Sequence, residues 1–180
     1  MTQFTASSQT DDLPEAMAEL AGEFHALPQK DRLQLLLELA NDLPDLPERY
    51  EGKLDQMERV DECQSPVFLA VEVDQDDDRV VHLFLSAPPE APTTRGFAGI
   101  LHESLDGLPA AEVLAVPDDA PFRFALAEAV SPLRMRGMVG MLGRIKRQVR
   151  ARTTLDELPL PAAQRDQLVA LCHHVLNRHS

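Results

Sequence analysis

The chain of 180 residues has no tryptophan, a single tyrosine and only 4% aromatic residues, so its core must come mostly from Leu, Val and Ala. Cysteine is almost as scarce. Two thiols, Cys63 and Cys172, do not suggest a disulfide framework, and a reducing, cytoplasmic setting is the expectation. No apolar run approaches the roughly 18 residues that cross a bilayer, so no membrane span is expected. The start, MTQFTASSQTDDLPEAM, lacks the basic and apolar stretches of a secretory signal. Positive charge is short too: 17 Lys and Arg face 30 Asp and Glu, a net charge of −13. A surface so acidic does not generally displace counterions from phosphates, which argues against a nucleic-acid partner.

What is present suffices for one domain. The hydrophobic fraction of 44% supports a packed core in a chain of this length. The charge is uneven: from Ser131 to Arg152 stand seven basic residues (Arg134, Arg136, Arg144, Lys146, Arg147, Arg150, Arg152) and no acid, leaving −20 on the rest. This basic helix is either a partner surface or a solvated face offsetting nearby carboxylates.

Residues 1–10 read as a disordered lead-in. In "DDLPEAMAELAGEFHAL", Leu13, Met17, Leu20 and Phe24 recur at helical spacing, with Asp11 or Asp12 as the expected N-cap. "QKDRLQLLLELANDL" predicts a second, well-buried helix, with Leu33, Leu36, Leu37 and Ala40 on one face and Leu35 and Leu39 widening it. The segment up to Cys63 carries Pro44, Pro47 and Gly52 and reads as extended or looping. The period then changes to two. Val67, Leu69, Val71 and Val73, then Val81, Leu83 and Leu85, predict two strands of a hairpin about the polar turn "DQDDD".

Beyond the proline-rich "APPEAPTT", the segment "RGFAGILHESLDG" predicts a helix with Phe97, Ile100, Leu101 and Leu105 inward and Gly107 as its stop. Pro109 opens a short helix. In the basic helix, Met138, Met141, Leu142, Ile145 and Val149 form the apolar stripe and the basic residues are expected mostly to face away. A last helix follows Pro159 and Pro161. The order predicts an α+β fold: a single domain with a small antiparallel sheet covered by helices.

Cys63 lies where the polar segment meets the strand run, in "RVDECQSPVFLAVEV", a place where a thiol is able to be exposed. The residue pattern by itself fits a structural cysteine or a reactive one. No CxxC pair suggests a dithiol redox site.

Four segments in order, "LPQKDRLQLLLELANDLPDLPERY", "RVDECQSPVFLAVEV", "RGFAGILHESLDGLPAAEVL" and "SPLRMRGMVGMLGRIKRQVRA", resemble the SufE family from about Leu27 to Arg152. The most specific elements are a cysteine followed by Gln-Ser and a hydrophobic strand, and a helix opening Ser-Pro-x-Arg with Gly three residues after the Arg. The resemblance implies a SufE-like domain over 11–152, with a C-terminal helical extension over 153–180. It further implies a sulfur-transfer accessory protein rather than an enzyme. Cys63 would take a sulfane sulfur from the persulfide of a cysteine desulfurase, stimulate that partner and pass the sulfur to a downstream iron–sulfur scaffold. Pyridoxal phosphate would belong to the partner, and this chain would need no cofactor or metal. Arg134 matches the family's docking arginine. Gln64 and Ser65 would support the cysteine loop through hydrogen bonds.

The chain departs from the family pattern in three places. Glu62, after Asp61, replaces a small residue before the cysteine, and two carboxylates beside a thiol raise its pKa. "PPEAPTT" replaces an acidic stretch. Pro66 and Phe68 stand where a polar residue and Trp are usual. Alternatives are an interaction module that regulates a partner without transferring sulfur, and a relay to another pathway such as tRNA thiolation or molybdenum cofactor. Cys172, His173, His174 and His179 do not complete a metal site, and Cys172 is expected to pack in the stripe of Leu168, Leu171 and Val175. His82 and His102 read as ordinary surface or packing residues.

Overall fold

The computed structural model describes residues 12–156 and 160–176. Two helices come first, α1 (Glu15–Ala26) and α2 (Gln29–Asp42), each opening behind a proline, Pro14 and Pro28. A proline there gives up no helical hydrogen bond. Met17, Leu20 and Phe24 of α1 are buried, as their spacing predicts. Asp12 does not cap α1, which has no side-chain cap, and instead pairs with Arg123; Asp11 lies outside the described residues.

Helix α2 differs from expectation. Leu36 and Ala40 are buried, whereas Leu33 and Leu37 are 38% and 40% exposed. The cause is the crossing with α3 (Pro92–Leu105). A Cβ on Gly96 would stand 2.5 Å from the Leu36 carbonyl oxygen, and one on Gly99 would stand 2.3 Å from that of Leu39. Two backbones this close leave contact for a narrow strip of α2, so the outer leucines stay in solvent. Arg95 secures the junction, donating to the carbonyls of Ala40 (2.7 Å), Ala87 (2.8 Å) and Leu43 (3.3 Å). These include carbonyls at the end of α2 that lack helical partners. Helix α3 begins at Pro92, so part of the proline-rich connection is helical.

The sheet has three antiparallel strands in the order β1 (Glu58–Arg59), β2 (Phe68–Val73), β3 (Val81–Ser86). Phe68 lies opposite Ser86 and Val73 opposite Val81, which confirms the predicted hairpin. Strand β1, absent from the sequence reading, places Glu58 opposite Leu69. Val67, Leu69, Val71, Val81, Leu83 and Leu85 are buried in the main core. On the other face Tyr50 packs on Phe84 and donates to Glu72 (2.9 Å).

Gly107, at φ +81°, ends α3 as expected. Helix α4 (Ala110–Ala115) and a 3-10 turn (Ala120–Phe124) follow. Phe124 is buried edge-on against Phe24, whereas Phe122 is exposed. Helix α5 (Pro132–Asp156) carries the buried stripe Met135, Met138, Met141, Leu142, Ile145 and Val149. Helix α6 (Ala162–Leu176) buries Val169. Cys172 is exposed, and so is Leu171, so the expected packing of Cys172 in the core is corrected. Helix α6 turns Val169 toward the body, and Leu171 lies about 200° further round the helix, on the side away from it.

Candidate functional site

Cys63 sits in the connection between β1 and β2. Val60 donates its N–H to the Val67 carbonyl (2.9 Å), closing the loop, and Cys63 donates its own to the Val60 carbonyl (3.2 Å), forming the turn inside it. A hairpin pinned on both sides fixes where the thiol points. The loop lies against α5 because that helix has no side chain in the way. A Cβ on Gly137 would stand 3.0 Å from Cys63 Sγ, and one on Gly140 would stand 2.9 Å from the Glu62 carboxyl. Glycine at both positions makes a notch that seats residues 62 and 63.

A charged clamp ties the same segment to α5. Glu58 is 2% exposed, and its carboxylate meets Arg144 Nε at 3.2 Å, the Arg147 guanidinium, and the Gln148 side-chain amide at 2.8 Å. A buried carboxylate requires such partners. Gln148 also accepts the Val71 N–H (2.9 Å), which lies beyond the end of the two-residue β1. Arg144 reaches on to Asp61 (3.7 Å) and Glu62. Its side chain is only 12% exposed, as is that of Lys146, which donates to Asp118 and the Val116 carbonyl. The expectation that the basic residues mostly face away is corrected for these two, because neighbouring acids and carbonyls draw them inward.

The thiol itself is half-buried and borders a cavity of about 270 Å³. Burial first, and the Glu62 carboxylate second, push it up to about 11, with the Arg144 cation pulling the other way. The predicted effect of Glu62 is therefore present but secondary. Glu62 is itself held below the usual carboxylate range: burial, the largest single influence, opposes this, but the hydrogen bond from Arg144, a backbone hydrogen bond and the Arg144 charge together outweigh it.

The structure brings all four predicted site residues together. Cys63, Gln64, Ser65 and Arg134 line this one cavity, together with Glu62, Gly137, Glu90, Thr93 and other residues. Arg134 lies in the first turn of α5, where the Ser131 hydroxyl accepts its backbone N–H (3.4 Å), and its guanidinium approaches the Thr93 hydroxyl (3.4 Å). The "PPEAPTT" segment forms the facing wall. Sequence reasoning missed Glu58, Arg144 and the notch. The notch did leave a signal: "RGFAG" and "RGMVG" both carry Arg-Gly-x-x-Gly, and in both helices a neighbouring segment packs on the glycines. Among the described residues, no group of three or more His, Cys, Asp or Glu is placed to hold a metal ion, and no helix is long and apolar enough to cross a membrane.

Fold and site define a small α+β protein that presents one thiol, on a hairpin loop, to a polar cavity beside a basic helix. A family model described as "SufE: Fe-S metabolism associated domain" matches residues 18–149. An uncharacterized SufE-like protein of Mycobacterium tuberculosis is 52% identical over 138 residues, covering 77% of this chain and 94% of that protein. SufE-like protein 1, chloroplastic/mitochondrial, of Arabidopsis thaliana is 24% identical over 133 residues, covering 73% of this chain and 34% of that longer protein. The solution structure of a hypothetical protein from Thermus thermophilus matches with a TM-score of 0.69 at 37% identity, over 79% of this chain and 98% of that one. The chain belongs to the SufE family.

Proposed function

We propose that the chain is a sulfur acceptor and carrier. Cys63 takes sulfur from the persulfide of a pyridoxal-phosphate-dependent cysteine desulfurase and passes it on for iron–sulfur cluster assembly. The observation that carries this reading is the placement of the Cys63 sulfur: a hairpin loop seats it in a glycine notch, at the edge of a cavity it shares with Arg134. A lone thiol suffices, since the product is a persulfide and no second cysteine is consumed. In the transfer the Cys63 thiolate attacks the outer sulfur of the donor persulfide. The donor S–S bond breaks, its cysteine sulfur leaves with the electron pair, and a new S–S bond forms on Cys63 with no net oxidation.

A thiol held at about 11 is protonated and unreactive at neutral pH. The free carrier is therefore quiet, and transfer is expected within the complex, where positive charge at the cavity, Arg134 included, favours the thiolate. The chain binds no cofactor in this reading and works in the cytoplasm. A second reading, an interaction module without sulfur transfer, is favoured by the same raised thiol. Desulfurase turnover separates the two: the wild type should accelerate alanine release several-fold and Cys63→Ser should not. Equal acceleration by Cys63→Ser would replace the carrier with the module.

A further inference from the structure

We propose that Arg144 is a positioning residue for the Cys63 thiol: its guanidinium draws the Glu62 carboxylate into the Gly140 notch and clamps the cysteine turn onto α5. The inference rests on the reading of Cys63 as the sulfur acceptor and identifies what governs its reactivity. Arg144 reaches three acids of one segment: Glu58 at 3.2 Å, Asp61 at 3.7 Å, and Glu62 through a direct hydrogen bond. A planar guanidinium with five donors suits such a task, and the buried Glu58 holds it in place.

The seat for Glu62 is specific. Cδ and Oε2 of that carboxyl both lie 2.9 Å from where a Gly140 Cβ would be, so any other residue there would force the carboxylate to move. One turn earlier, Gly137 leaves matching room for the sulfur, 3.0 Å from where its Cβ would be. The clamp therefore orders the two adjacent residues together, the carboxylate onto Arg144 and the thiol onto Gly137.

The charged groups around the thiol come from three elements. Glu62 belongs to its own turn, with Asp61 beside it; Arg134 and Arg144 belong to α5; Glu90 stands on the cavity wall ahead of α3. Arg144 acts on the thiol in two ways, by its own charge and by tying up the Glu62 charge. The second way makes the two residues interdependent, and a contact that merely supports the fold would not.

The test is a double-mutant cycle on Glu62→Gln and Arg144→Gln, read as the pH profile of iodoacetamide alkylation of Cys63 in a Cys172→Ser background. Arg144→Gln removes the cation and frees both the Glu62 charge and the turn, and should shift the alkylation midpoint and change the rate at about pH 8 by roughly threefold or more. Combined with Glu62→Gln the shift should be clearly different in size, and Arg144→Lys should restore most of the wild-type profile. An equal shift in both backgrounds would overturn the proposal.

Should Arg144→Gln fail to fold by circular dichroism, Gly140→Ala unseats the Glu62 carboxyl and leaves Arg144 in place. A midpoint identical to wild type would then overturn it. Sulfur loading from a desulfurase is measured on the same variants. Interdependent profiles without loading would sink the acceptor reading alone, and loading with independent profiles would sink the positioning role alone.

Discussion

Helix α5 contains three glycines at intervals of three, and the structure assigns them different environments. A Cβ on Gly143 would meet nothing within 4 Å, whereas one on Gly137 would stand 3.0 Å from Cys63 Sγ. Alanine in place of glycine in a helix interior is worth about 1 kcal/mol. For a chain of this size that gain corresponds to about 2–4 °C in Tm. Gly143→Ala should show the whole gain. Gly137→Ala has the same helix term, but the sulfur must give way by a few tenths of an ångström, and overpacking of this kind costs about 1–3 kcal/mol. Its Tm should therefore equal that of the wild type or fall below it. Thermal melts followed by circular dichroism measure both variants, and thiol reaction with an aromatic disulfide follows the sulfur, with Cys172→Ser in each to leave one thiol. Cys63 should react faster in Gly137→Ala, displaced from its notch, and at the wild-type rate in Gly143→Ala. If Gly137→Ala gained as much Tm as Gly143→Ala with an unchanged thiol rate, the notch argument would be refuted.

Further expectations follow from the same contacts. Gly99→Ala presses a Cβ into the Leu39 carbonyl oxygen, 2.3 Å away, where backbone yields less readily than a side-chain tip; urea unfolding should show a loss of about 3 kcal/mol, and a loss under about 1 would contradict the close α2–α3 crossing. Gln148→Leu strips the Val71 N–H and the buried Glu58 of a partner each, at about 2–3 kcal/mol, and a neutral result in the same assay would count against that network. The pH dependence of Cys63 alkylation should keep climbing, about tenfold per unit, until near 11, and a plateau near 9 would mean an ordinary, solvated thiol. The same proton links to stability. The folded state holds it more tightly than the unfolded chain, so this contribution is intact below about 9 and is lost as pH rises through about 11.

The helical and period-two patterns made much of the fold legible. Met17, Leu20 and Phe24, Val67, Leu69 and Val71, the 81–85 strand, and the Met138–Val149 stripe all face inward as their spacing indicates, with Val73 only partly buried. Where the reading went astray, a long-range partner decided. Leu33 and Leu37 look like core until the glycines of α3 narrow the contact. Strand β1 is invisible because its inward residue is Glu58, whose burial depends on Arg144, Arg147 and Gln148 far along the chain. Cys172 shares a helical stripe with leucines, but α6 buries Val169 instead. At the site, the motif named Cys63 and Arg134, which line one cavity. Its electrostatics were only half legible: Glu62 is adjacent in sequence, but the arginine that holds it comes from a helix some eighty residues away.

In the proposed transfer Cys63 carries the sulfur. The most direct test is intact-protein mass spectrometry after incubation with a cysteine desulfurase, pyridoxal phosphate and cysteine, without reductant. The wild type should gain one or more sulfur atoms, a gain retained in Cys172→Ser and lost in Cys63→Ser. No gain on the wild type, with a desulfurase that loads another member of the family, would contradict the proposed transfer.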